Sequence, residues 1–265
     1  MGQTKEEPVI LGGMAHADGV TFFSESHQVK AFYQKDGGIS VSSKELRPAP
    51  QKLKELVKIP VFRGYVDALR AIYINWVAGL LMILFPFGVA FGLSILQATS
   101  LDQAFSFLIG IASGLALPII IYIFLIKSRT NITKFHGAEH IIHNLHWHDK
   151  SIDSSYLTSY RFHKWCGSSW IAIFMTYMIV MSFLPVPPIV TALLWFAFYG
   201  ELTMNEHPIV SKLLKPIHYI GFAFQLVTTS KPKDYHLSAA RKAAKVLLAK
   251  ERKVHVRAES ETKAL

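Results

Sequence analysis

Cysteine is almost absent from this chain of 265 residues, since Cys166 is the only one. It has no partner within the chain, which excludes the disulfide framework of a small secreted domain. Charged residues are also scarce: they form 17% of the chain, against about 25% in average globular proteins. Hydrophobic residues form 51%, which excludes a disordered chain.

Acidic residues are few relative to basic ones, with 18 Asp and Glu against 28 Lys and Arg, so the net charge is +10. Such a charge is typical of proteins that bind nucleic acid or lie at an anionic membrane surface. No RNA- or DNA-binding motif is present, so we expect no nucleic-acid partner. The first fifteen residues lack a basic segment followed by an apolar one, so we expect no cleaved signal peptide.

Three long segments contain no Asp, Glu, Lys, Arg or His: residues 71–100, 103–126 and 167–200. About 20 apolar residues are needed for a helix to cross a bilayer, so the first two segments are each long enough to span one. Prolines at positions 185, 187 and 188 interrupt the third segment, which predicts two shorter helices at about 168–184 and 189–202. The sequence therefore predicts about four transmembrane helices.

Lysine and arginine are unevenly distributed around these segments. They are frequent before residue 71, between residues 127 and 164, and after residue 204, and they are absent from the two intervening turns. Because positive residues accumulate on the cytoplasmic side, this pattern predicts that both termini are cytoplasmic. We expect a multi-pass plasma-membrane protein whose first partner is the lipid bilayer.

The rest of the chain completes a mainly α, polytopic membrane fold with a small N-terminal β element and a C-terminal amphipathic helix, both cytoplasmic. Runs of β-forming residues at 20–23 and 28–34, followed by a turn at Asp36-Gly37-Gly38, indicate the β element. The predicted parts are a β element (1–50), a connecting helix (51–70), a first transmembrane pair (71–126), a His-rich loop or helix (127–166), a second transmembrane hairpin (167–203), and interfacial and basic helices with a tail (204–265).

Half of the twelve histidines lie between residues 136 and 163, and they include an H-x-x-E-H motif, His136-Gly-Ala-Glu139-His140. On a helix this spacing sets two imidazoles one turn apart, where they can bind one metal ion. A neighbouring carboxylate can take a proton from a metal-activated water, so Glu139 is the predicted catalytic residue. His163 and Cys166 offer a further imidazole and a thiol, which predicts a zinc site at His136, His140, His163 and Cys166, although another divalent ion would also fit.

The same residues allow simpler interpretations. Loop histidines are often titrating surface groups, a lone cysteine is often a small core residue, and a lone glutamate is often solvated. His143, His146 and His148 are interpreted as surface groups or neighbours of the ligands. The remaining candidates for additional or supporting groups are Glu201, His16 and Asp18.

Several motifs occur together in a fixed order and resemble the YqhQ-like family of uncharacterised bacterial integral-membrane proteins, for which metal-dependent enzyme activity is expected. They are Gly12-Gly13 with Asp18-Gly19-Val20, Arg63-Gly64, the H-x-x-E-H motif with Asn144, His163 with Cys166-Gly167-Ser168-Ser169, and Gln225-Leu226-Val227-Thr228-Thr229 with Pro232. The resemblance implies a bacterial plasma-membrane location and that His136, Glu139, His140, His163 and Cys166 are shared polar residues. Asp18 departs from the family's usual Glu, and His146-Trp147 replace a common acidic pair.

Two functions remain open from the sequence. The first is a zinc-dependent hydrolase acting on a membrane-proximal substrate, which requires an open coordination position on the metal. The second is a non-enzymatic accessory or regulatory subunit that binds another membrane protein or complex, in which the His/Glu/Cys cluster only stabilises the fold. A homo-oligomer is compatible with either.

Overall fold

The structure is a computed structural model, and it divides the chain into two compact units. The first unit comprises Met1–Pro48, Leu125–His163 and Leu226–Leu265, and the second comprises Ala49–Phe124 and Lys164–Gln225. The structure describes residues 10–47, 50–98, 131–148, 150–153, 162–163, 166–181, 183–204 and 208–263.

A four-stranded antiparallel sheet forms one layer of the first unit. Its strands are β1 (Gly12–Ala15), β2 (Gly19–Phe23), β3 (His27–Tyr33) and β4 (Ile39–Glu45), and they are arranged in sequence order. Burial alternates along β3, as expected for a strand with one face on a core. Between β3 and β4 the chain turns at Gly37, whose positive φ of 87° suits glycine.

Two helices form the second layer of this unit. They are α4 (Ile132–Trp147), which contacts β1 and β2, and α8 (Asp234–Lys263), which contacts β2, β3 and β4. The core between the layers combines β-branched and aromatic strand residues with small alanines of α8, so the helix backbone can approach the sheet. Its fully buried members include Val20, Phe22, Phe135, Ile141 and Leu247.

A buried polar cluster joins the β2–β3 turn to α8. The Ser24 and Ser26 hydroxyls each donate to Glu251 Oε1 at 2.5 Å, and His27 Nδ1 lies 2.8 Å from the same oxygen. Burial alone raises the pKa of the Glu251 carboxyl, but these hydrogen bonds outweigh it and hold the pKa below its ordinary value. The cluster therefore links two segments more than 220 residues apart in sequence.

The second unit is helical in the residues that the structure describes. Its helices are α1 (Gln51–Leu56), α2 (Arg63–Ile74), α3 (Trp76–Ala98), α5 (Gly167–Met181), α6 (Pro188–Met204) and most of α7 (Pro208–Thr228). Aromatic residues dominate its core, where Phe174 and Trp195 are fully buried with ring centroids 5.0 Å apart. Gly64 and Gly200 let α2 and α6 cross closely, because a Cβ on either residue would overlap the backbone of the other helix.

The predicted polytopic membrane fold is wrong for the part of the chain that the structure describes. None of the helices there is both long enough and apolar enough to cross a membrane. The two predicted spans of the hairpin correspond to α5 and α6, which have 15 and 17 residues, fewer than the roughly 20 that a span requires. The predicted span at 71–100 contains α3, and the one at 103–126 lies outside the described residues.

The predictions of a multi-pass plasma-membrane location and of a cytoplasmic orientation for both termini depended on those spans, and they are wrong for the same reason. An apolar run indicates that side chains leave water, but it does not indicate what covers them. Here protein covers part of these runs, since Phe85, Phe87, Phe174 and Trp195 pack together in the core of the second unit.

We predict that Gly64→Ala destabilises the protein while Gly88→Ala does not. A methyl at position 64 would overlap the Phe196 carbonyl, whereas one at position 88 meets nothing within 4 Å. Overpacking lowers the free energy of unfolding by about 1–3 kcal/mol. Replacing an interior helical glycine with alanine raises it by up to about 1 kcal/mol. Chemical denaturation followed by circular dichroism measures both; equal midpoints for the two variants would contradict the close crossing.

We predict that Glu251→Gln lowers the free energy of unfolding at pH 7 by about 1.5–3 kcal/mol, because hydrogen bonds to an ionised group are lost. A carboxyl whose folded pKa is lowered contributes stability above its unfolded pKa and loses it as the pH falls through the folded value. The difference from the parent protein should therefore shrink between pH 5 and pH 3, in roughly the range where Glu titrates. Glu45→Gln, at an exposed position of β4, is the control.

Candidate metal site and buried carboxylate

Helix α4 places the residues of the H-x-x-E-H motif on one of its faces. His136, Glu139, His140 and His143 occupy positions i, i+3, i+4 and i+7, which coincide on a helix of 3.6 residues per turn. The rings of His136 and His140 meet edge to face with centroids 4.4 Å apart. The helical spacing predicted from the sequence is therefore present in the structure.

Packing fixes the position of this helix. Its apolar residues, such as Phe135 and Ile142, belong to the core of the first unit. On another side, Gly137 approaches the backbone so closely that a Cβ there would overlap the Ser230 carbonyl, and Ser230 N–H donates to the Thr133 carbonyl at 2.8 Å. The segment after α7 thus lies directly against the start of α4.

This segment also determines the tautomer of His136. His136 Nδ1 lies 3.0 Å from the Thr228 carbonyl oxygen, and because a carbonyl can only accept, Nδ1 carries the proton. The lone pair is then on Nε2. Metal-binding histidines usually donate their second ring nitrogen to a carbonyl or a carboxylate in this way, so the arrangement suits a ligand.

His163 lies beside these residues within the first unit. Its ring centroid is 5.6 Å from that of His140 and 4.2 Å from that of His143. Asn144 Nδ2 donates to the Phe162 carbonyl at 2.8 Å and so holds the backbone next to His163. Burial, together with the neighbouring imidazoles, lowers the pKa of His163 well below its ordinary value, so the ring is neutral and able to act as a ligand.

Three of the four predicted ligands form a group that could hold a metal ion. One ligand atom from each of His136, His140 and Cys166 lies within 4.8 Å of the others. Donors in a tetrahedral zinc site lie about 2.0–2.3 Å from the ion and hence roughly 3.3–3.8 Å apart. Among the described residues, His163 is not part of this group.

The Glu139 carboxylate is buried against this group, with a side chain that is 5% exposed. Its Oε2 lies 3.5 Å from His140 Nε2, and its Oε1 lies 4.0 Å from His143 Nδ1. Burial raises the pKa of Glu139 to about 7, although the His136 imidazole acts in the opposite direction. Gly13 of β1 faces Glu139, and a Cβ at position 13 would overlap the carboxylate.

The sequence did not define the position of His143. It allowed this residue to lie either at the surface or beside the ligands. His143 is 2% exposed, and its Nε2 donates to the Ile10 carbonyl at 3.0 Å. Nδ1 therefore carries the lone pair, and no described residue donates a hydrogen bond to it. Burial lowers the pKa of His143 to about 4. The sequence did contain one signal of this position, because His143 follows Glu139 by four residues and therefore shares its face of the helix.

The other candidates from the sequence make contacts of their own. Glu201 accepts from the Val61 N–H at 2.9 Å and lies 3.6 Å from Arg63 in the second unit. His16 Nε2 lies 2.7 Å from Thr21 Oγ1, and the Asp18 carbonyl accepts from Tyr33 N–H. Within the described residues, none of the three belongs to the group that could hold an ion.

Comparison with known proteins gives a family but no activity. A family model described as "Protein of unknown function (DUF1385)" matches residues 66–250. This match is consistent with the resemblance to the YqhQ-like family, and it bears on neither a membrane location nor an enzymatic activity. No curated protein and no solved structure matches.

We predict that Gly13→Ala destabilises the protein by about 1–3 kcal/mol, because the new methyl displaces a buried carboxylate. Gly12→Ala is the matched control in the same strand: a Cβ there meets nothing within 4 Å, so its effect should stay within about 0.5 kcal/mol. In a Glu139→Ala background the cost of Gly13→Ala should largely disappear. Chemical denaturation of the four variants measures this coupling, and additive effects would mean that residues 13 and 139 do not interact.

Proposed function

The chain belongs to the DUF1385 family, and we propose that it is a metal-dependent hydrolase in which His136 and His140 bind a divalent ion and Glu139 is the general base. The observation that carries the proposal is a buried carboxylate whose Oε2 lies 3.5 Å from the Nε2 of His140, a member of the group that could hold an ion. A buried carboxylate does not stabilise the packing of a core, because removing its charge from water costs free energy.

The chemistry of the donors supports zinc. Two imidazoles and one thiol are borderline to soft ligands, and hard cations such as Mg²⁺ prefer oxygen. We propose Cys166 as the third ligand, since it belongs to the same group. Three protein ligands leave a fourth position open, as in catalytic zinc sites.

A bound zinc ion would lower the pKa of a water and polarise the substrate. Glu139 would take the proton of that water and deliver it to the leaving group. Burial raises the pKa of Glu139, whereas the charge of a bound ion would lower it, so the support for its role as general base is its position beside the site. His143 lies on the other side of the carboxylate, with its Nδ1 4.0 Å from Oε1.

The position of His163 supports a second candidate, in which the ion is structural. The ring is buried and lies 5.6 Å from that of His140, so a modest movement would make it a fourth ligand. Four protein donors close the tetrahedron and leave no position for a substrate. The protein would then act by binding another protein, and the cluster would only stabilise the fold.

Metal content separates these candidates. We predict about one zinc per chain in the purified protein, loss of that zinc in His140→Ala and Cys166→Ser, and full retention in His148→Ala, which changes an exposed histidine after the same helix. Elemental analysis measures the metal, and thermal unfolding measures the fold. Retained folding without metal favours the hydrolase, whereas unfolding favours the structural ion.

Glu139→Gln tests the catalytic role itself. Amide replaces carboxylate at nearly the same size, so zinc should remain bound while hydrolysis falls by about 10²–10⁴-fold. Ester, phosphoester and peptide substrates provide the assay panel. A parent protein without metal, or a Glu139→Gln variant with undiminished turnover, contradicts the proposal.

A further inference from the structure

The strand β1 lies at one end of the sheet, next to the candidate site. In the order β1-β2-β3-β4 it pairs with β2 on one side, and no described strand pairs with its other side. Gly13 and Met14 are exposed, with 37% of Met14 accessible to solvent. An exposed edge of this kind can accept the backbone of an additional extended chain.

The register shows which backbone groups face outward from this edge. His16 N–H donates to the Gly19 carbonyl, and hydrogen-bonded pairs alternate along an antiparallel ladder. Met14, opposite Thr21, and Gly12, opposite Phe23, therefore face β2. The N–H and C=O groups of Gly13 and Ala15 consequently face away from the sheet.

The same strand borders the proposed general base. Helix α4 packs over β1, and the missing side chain of Gly13 leaves the space that the Glu139 carboxylate occupies. Glu139 is buried while Gly13 is exposed, so an exposed residue of the strand lies directly against the buried carboxylate. A chain bound along the edge would pass beside the carboxylate.

We propose that the free edge of β1 binds an extended peptide and that this peptide is the substrate of the hydrolase. This inference rests on the proposed function. Water would add to an amide carbonyl of the peptide: a C–O bond forms, the C–N bond breaks, and Glu139 carries one water proton to the leaving nitrogen, which departs as an amine. Backbone pairing positions the chain without selecting a particular side chain.

The test uses the zinc-loaded protein of 265 residues and a library of quenched fluorescent peptides. A cleaved peptide from this library becomes the probe, and its binding to the Glu139→Gln variant is measured by fluorescence anisotropy, so that the second readout does not depend on turnover. Ala15→Pro, which removes one outward N–H, is then introduced in that background. Proline at an edge position with its nitrogen facing solvent is tolerated in a strand.

Ser43→Pro is the matched control, because it removes an outward N–H from the opposite edge. Leu46 N–H donates to the Ser26 carbonyl, so Lys44 faces β3 and the exposed Ser43 faces outward. We expect Ala15→Pro to weaken peptide binding roughly three- to tenfold, the effect of one lost hydrogen bond, and Ser43→Pro to leave it unchanged. N-methylation of alternate amides in the peptide should weaken binding in the same way, and it needs no variant of the strand.

The outcomes separate the two proposals. Glu139-dependent hydrolysis of esters or phosphoesters with no cleaved peptide overturns the peptide substrate and leaves the hydrolase. Equal effects of Ala15→Pro and Ser43→Pro, together with insensitivity to N-methylation, overturn binding at β1. Hydrolysis that does not depend on Glu139 overturns both.

Discussion

The burial of one carboxylate constrains the arrangement of the first unit. Glu139 lies on a helix whose neighbours are a hydrophobic core and a strand, and its pKa is raised because few groups replace the lost water. His140 and His143 lie on either side of it, at 3.5 and 4.0 Å. A side chain at position 13 would force the carboxylate to move, because the carboxylate occupies that space. The strand, the helix and the imidazoles are therefore positioned around the same group.

Backbone carbonyls define the chemical state of the surrounding histidines. Thr228 and Ile10 accept from His136 Nδ1 and His143 Nε2, which leaves one lone pair on each ring in a defined direction. Both carbonyls come from segments far from α4 in sequence, and packing of α4 between the sheet and the segment at residues 228–232 brings them into place. The core of the first unit thus positions the candidate ligands as well as stabilising the fold.

The sequence predicted the elements of the first unit better than those of the second unit, and the reason is physical. The β-forming runs at 20–23 and 28–34 coincide with β2 and β3, because alternation and turn residues are local properties. The spacing of His136, Glu139 and His140 likewise gave a shared helical face. The apolar runs at 71–100 and 167–200 were misinterpreted as membrane spans, because hydropathy does not distinguish lipid from other helices such as those around Trp195.

The sequence by itself determined which donors exist and which of them share a helix, since the spacing of residues in a helix depends only on its geometry. It also determined where β2 and β3 form. Tertiary structure alone decided that Gly13 faces Glu139, that His143 is buried beside it, and that β1 is the edge strand. The contact between Gly13 and Glu139 joins residues more than a hundred positions apart, and the burial of His143 and the edge position of β1 likewise follow from how the elements pack, which no local pattern encodes.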